Sequence, residues 1–199
     1  MLRLAPRLMA VLLSAAALAG CASIDRNAAA APTGKNNAVA DNKLPTDMEG
    51  GIRQAQMLRN AGQYDEAIRI ASQLMLVNGD DPRVAAEYGK ALTQKGRAQD
   101  AVEFLHRAIE LAPGDWTLYS ALGVSFDQLG NQNAARTAYD HALMLKANEP
   151  SVLNNYALSR MLAGDTEGAK TMMARAQAAG GASDAKIAAN IALVNKLVA

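Results

Sequence analysis

The chain has 199 residues, half of them hydrophobic but only 4% aromatic, with one cysteine and 20 basic against 19 acidic side chains. That length holds one modest domain. A lone cysteine excludes an internal disulfide framework, and the near-balanced charge offers no basic footprint for nucleic acid. Ala, Leu, Met and Gln outweigh the β-branched and aromatic strand formers, so the expected fold class is all-α.

Arg3 and Arg7 precede an apolar run, Leu8 to Ala19, that is too short for a comfortable membrane span and has the layout of a secretory signal over residues 1–20. Without those two arginines, 18 basic residues face 19 acidic ones, a net charge of −1. The run ends in Leu18-Ala19-Gly20-Cys21, which resembles the lipobox of bacterial lipoproteins. The resemblance implies cleavage between Gly20 and Cys21, a diacylglycerol on the Cys21 sulfur and acylation of the new N-terminus. Each buried CH₂ is worth about 0.8 kcal/mol, so two or three such chains make a stable anchor. In that family an aspartate after the cysteine retains the protein in the inner membrane; Ala22 stands there, which implies the outer membrane with the domain facing the periplasm. The alternative is that Cys21 is a leftover thiol in a cleaved leader.

Residues 21–45 carry few large apolar side chains and are punctuated by Pro, Gly and Asn, the composition of a tether. About 24 residues of flexible chain span roughly 25–30 Å, enough to lift a domain off the headgroups.

Beyond Pro45 the chain repeats. Gly62, Gly96, Gly130 and Gly164 are each 34 residues apart, and Ala67, Ala101, Ala135 and Ala169 follow five residues after them. Seven residues before each glycine stands Ala55, Gly89, Gly123 or Ala157, and twelve after it Leu74, Ala108, Ala142 or Ala176. Small residues in these columns let two antiparallel helices approach closely while the glycine turns the chain between them. The expected units are helical hairpins at about 48–79, 82–113, 116–147 and 150–180, within a domain at 46–181. Thr46 to Glu49 has capping-box spacing and should start the first helix, while Pro82 and Pro150 suit first helical positions. Gly180-Gly181 should end the eighth helix, and Ser183 can cap a ninth within residues 182–199. The apolar side of that helix, Ile187, Ile191, Val194 and Leu197 or Val198, would close the stack.

A 34-residue helix-turn-helix period resembles the tetratricopeptide repeat (TPR). Tyr88-Gly89, Gly96, Ala101, Ala108 and Pro113 carry the pattern in one unit; Leu122-Gly123, Phe126, Gly130, Ala135, Tyr139 and Ala142 carry it in the next. The first and last units depart from it, with Gln54-Ala55 and Tyr156-Ala157 in place of Leu-Gly. The resemblance implies a right-handed superhelix of about four hairpins plus a capping helix.

Catalytic chemistry has no evident carrier: the sequence holds no phosphate loop, cysteine pair, zinc motif or nucleophile elbow, so the chain is read as a non-enzyme without a cofactor. His106 and His141 fall near one register of the second helices. Without a third ligand they read as solvated or partly packed side chains, with a metal or pH-sensing pair as the alternative. Met144, Met161, Met172 and Met173 read as core fillers or an adaptable surface, Trp116 as a packing residue or an interface anchor. In the TPR family the concave face is lined by the first helices, which here gives Gln56, Arg59, Lys90, Gln94, Val124, Asp127, Asn154, Leu158 and Met161 as a candidate partner groove grading from basic to apolar. Equally, these are positions that a solvated helix would expose. The Lys/Asn/Arg set that some TPR proteins use for a C-terminal carboxylate is not recognisable.

The lipobox, tether, repeats, the segment Leu153-Asn154-Asn155-Tyr156-Ala157 and the stretch Ala189 to Val194 together resemble the TPR lipoproteins of tight-adherence (Flp-type) pilus assembly, the TadD family. That resemblance implies a protein partner among the pilus assembly components, such as the secretin, and membrane attachment through lipid alone. A general envelope TPR lipoprotein for outer-membrane or polysaccharide export, or a docking regulator of a peptidoglycan enzyme, are the alternatives. The sequence leaves the oligomeric state open.

Overall fold

The computed structural model describes residues 47–197. The signal sequence, Cys21, the tether, Thr46 and Val198 lie outside the described residues. Nine α-helices follow one another without a strand among the described residues: α1 (Met48–Asn60), α2 (Tyr64–Asn78), α3 (Pro82–Lys95), α4 (Ala98–Leu111), α5 (Trp116–Gln128), α6 (Gln132–Leu145), α7 (Pro150–Leu162), α8 (Thr166–Ala178) and α9 (Ala185–Leu197). A short 3₁₀ turn, Gly181–Ser183, precedes the last.

The turns inside the hairpins explain the glycine column. Gly62, Gly96, Gly130 and Gly164 have φ of +76°, +84°, +73° and +78°, a left-handed conformation that closes each first helix at no steric cost only for glycine. Carboxylates cap several starts: Asp81 accepts from Arg83 N at 2.8 Å, Asp115 from Thr117 N at 2.9 Å and Asp165 from Gly168 N at 2.9 Å. Each such cap is worth about 1 kcal/mol. Two caps differ from expectation. Asp47 is the N-cap of α1 and accepts from Gly50 N, whereas the expected cap, Thr46, lies outside the described residues. Asp184 caps α9, accepting from Lys186 N and Ile187 N, while the Ser183 hydroxyl donates back to the Gly180 carbonyl. In each case the carboxylate one residue later meets the free amides with a full negative charge.

Each hairpin packs on itself, its second helix packs on the first helix of the next hairpin, and the first helices of successive hairpins also touch. The small-residue columns sit at these crossings: Ala67, Ala101, Ala135 and Ala169 are wholly buried. A Cβ on Gly123 would stand 2.7 Å from the Tyr139 ring, so only glycine lets that ring, itself 1% exposed, lie flat against α5. Core clusters form at the junctions, with Leu92, Leu105, Leu118 and Leu122 between the second and third hairpins, and Tyr139, Val152 and Tyr156 between the third and fourth. Trp116 packs against the latter cluster with Lys146 over its ring. Ile187, Ile191 and Val194 of α9 are buried, whereas Leu197 is 39% exposed and takes no part in the closure. Leu111, the last residue of α4, and Leu129, which follows the end of α5, are also exposed.

A candidate partner-binding groove

Six residues before each turn glycine stand Gln56, Lys90, Val124 and Leu158, all half-buried and in one register of the first helices α1, α3, α5 and α7. Helical repetition places them in a row along the concave side, and Gln94 is exposed beside it. Charge along this row departs from the expected basic end. Arg59 donates from Nε to Glu87 Oε2 at 3.0 Å, and the Lys90 ammonium stands 3.9 Å from Glu87 Oε1. Burial pushes the Lys90 pKa down; Glu87 and Asp115 oppose that shift and Arg59 adds to it. The end expected to be basic is therefore two half-buried cations sharing one buried carboxylate.

Asp127 is held from both sides. Its Oδ2 accepts from the Tyr139 hydroxyl at 2.9 Å and its Oδ1 from the Ser159 hydroxyl at 2.7 Å, tying α5 to α6 and α7. Burial raises its pKa above the ordinary carboxylate value, and the two hydroxyls pull the other way. The Tyr139 hydroxyl is itself pushed well above its usual pKa, by burial first and by the Asp127 charge second. One junction earlier, Thr93 and Ser125 make the same link through a 2.8 Å hydroxyl pair, and Gln128 Nε2 donates to the Thr93 carbonyl.

Two of the nine expected lining residues are not free to line anything. Asn154 is 7% exposed because α9 covers it, with Asn190 Nδ2 donating to its Oδ1 at 2.9 Å; Met161 is 6% exposed and packs in the core. Met173 is likewise core, but Met144 is 70% exposed. His106 and His141 are exposed, the first edge-on to Phe126 and the second stacked on Tyr119. No group of three or more His, Cys, Asp or Glu side chains is placed to hold a metal ion among the described residues. Sequence reasoning missed Glu87, the anion between Arg59 and Lys90, although it stands three residues before Lys90 on one helix face. It also missed Ser159 and Ser125, whose signal was a polar pair 32 residues apart at two successive junctions.

Tetratricopeptide-repeat models match residues 58–123 and 117–149. No curated protein matches the chain in sequence. Among solved structures, a thermophilic TPR protein of Thermus thermophilus superposes with a TM-score of 0.69 at 17% identity, covering 75% of this chain and 82% of its own. MamA of MSR-1 does so at 0.57 and 25% identity, covering 69% and 79%, and MamA 41-end from Desulfovibrio magneticus RS-1 at 0.60 and 18%, covering 70% and 78%. Residues 58–149 thus carry tetratricopeptide repeats, and the hairpins stack in the superhelical all-α fold of such repeats.

Proposed function

We propose that this chain is a lipid-anchored scaffold that holds a protein partner in the groove of its repeats, on the periplasmic face of the outer membrane. The observation that carries the scaffold reading is the row Gln56, Lys90, Val124 and Leu158: polar and apolar side chains in one register of the first helices, each partly exposed. A surface of this kind orders little on binding, because its side chains are already fixed by the hairpins that carry them. The anchor rests on Leu18 to Cys21, and Ala22 favours the outer membrane. By resemblance to the tight-adherence lipoproteins, the partner belongs to the assembly of a Flp-type pilus, with the secretin as the first candidate.

Crosslinking in intact cells, purification of the full-length protein and mass spectrometry of its companions test this, with Cys21→Ser as control. Recovery of a secretin and pilus components, lost in the variant, is the expected result. Recovery of cell-wall enzymes or export machinery without pilus components overturns the pilus assignment and leaves the scaffold in place. Radiolabelled palmitate that fails to enter the wild-type protein overturns the anchor.

A further inference from the structure

The following inference rests on the groove reading above and specifies the chemistry of the partner. Lys90 and Asp127 occupy first helices of neighbouring hairpins, and the protein leaves both charges incompletely matched. Lys90 shares Glu87 with Arg59, which takes the shorter contact, 3.0 Å against 3.9 Å. Asp115 attracts the ammonium only from farther away, and among the described residues Lys90 donates no hydrogen bond. Asp127 is the mirror case: both of its oxygens accept from uncharged hydroxyls, and among the described residues no cation pairs with it. Asp127 stands one helical turn beyond Val124 of the row, and Leu158, half-buried, holds the row position on α7, the first helix of the following hairpin.

We propose that the groove selects an extended segment of another protein that presents an acidic side chain to Lys90, a basic one to Asp127 and an aliphatic one to Leu158. The first helices of neighbouring hairpins touch, which sets their axes about 8–10 Å apart. An extended chain advances about 3.3 Å per residue, so the acid and the base stand about three residues apart. Gln94, exposed at the rim, offers a donor and an acceptor to a main-chain amide, a pairing that an extended segment can accept and a helix cannot. Uniformly acidic or uniformly basic segments are rejected, since each brings a like charge to one of the two sites.

Panning a random dodecapeptide phage library on the full chain in detergent tests the proposal, alongside the double variant Lys90→Glu/Asp127→Lys, Asp127→Asn and Leu158→Arg, each first shown to melt cooperatively. The expected wild-type clones carry an acidic and a basic residue separated by two or three positions. On the double variant the order of the two charges reverses, and Asp127→Asn weakens a selected peptide about tenfold. Clones without a charge pattern, or with the same pattern on the double variant, overturn the proposal while the groove reading stands. Clones indifferent to Leu158→Arg, or a library that yields none, overturn both. Self-association of the wild type that the double variant abolishes puts a second copy in the groove and likewise overturns it.

Discussion

The two ends of the repeat stack obey different rules. At the C-terminal end α9 takes the place of a further first helix: Val194 is fully buried and Asn190 reaches back to Asn154 of α7. At the N-terminal end, Met57 of α1 stands five residues before its turn glycine, in register with Ala91, Ser125 and Ser159. Those three are 1%, 0% and 3% exposed against the preceding hairpin, whereas Met57 is 64% exposed, and nothing among the described residues covers it. The same register position is thus core or surface according to whether a neighbour stacks on it, because a hairpin owns only half of its hydrophobic contacts.

The sharpest way to break this contrast is to charge its closed side. Val194→Asp buries an unpaired carboxylate and should cost more than about 3 kcal/mol, read as a loss of the thermal transition near the C-terminal hairpin by circular dichroism and hydrogen exchange. A loss below about 1 kcal/mol would mean that α9 is dispensable.

Gly123→Ala should follow, at about 1–3 kcal/mol, since its Cβ collides with a Tyr139 ring held by Asp127. Gly51→Ala in α1 meets only the tip of Leu74, and the gain in helix propensity of about 1 kcal/mol should bring it near neutral. Equal urea midpoints for the two variants would deny that the interior is packed more tightly than the open end.

Asn190→Ala and Asn154→Ala should each cost about 1 kcal/mol, with a coupling of about 0.5 kcal/mol in the double-mutant cycle. Additivity would show that the 2.9 Å bond does not tie α9 to α7.

A smaller effect concerns pH. Burial raises the Asp127 pKa in the folded state, so the folded protein holds this proton more tightly than the unfolded one. The stabilisation from protonation is complete below the ordinary carboxylate pKa and is lost as pH rises through the raised value. Asp127→Asn should therefore gain stability relative to wild type on going from about pH 3 to about pH 7; a difference that stays constant contradicts it. The smallest effect belongs to the open end, where Met57→Lys should change stability by less than about 0.5 kcal/mol.

Much of the fold was legible because its signals are local. A glycine column marks where the chain must turn left-handed, and alanine columns mark where helices cross, so the hairpins followed from spacing, while the all-α class followed from composition and the superhelix from the resemblance to the tetratricopeptide repeat. The groove was legible only as a row. Register places Lys90, Val124 and Leu158 on one side of the stack, but it is silent about Glu87, whose burial between Arg59 and Lys90 turns an expected basic end into a shared ion pair. Asn154 and Met161 were misplaced for the same reason, since their exposure depends on α9 and on core packing farther along the chain.

The sequence by itself determined the period and the hairpin, because the steric demands of a turn and of a helix crossing act on residues within one unit; the identity of the repeat came from resemblance to the tetratricopeptide pattern. Only the tertiary structure decided which charges remain unmatched, which polar side chains link successive hairpins and which end of the stack is closed. Those outcomes depend on pairs of residues 28 to 36 positions apart, as in Arg59 with Glu87, Asp127 with Ser159 and Asn154 with Asn190, and they exist only once neighbouring units have stacked.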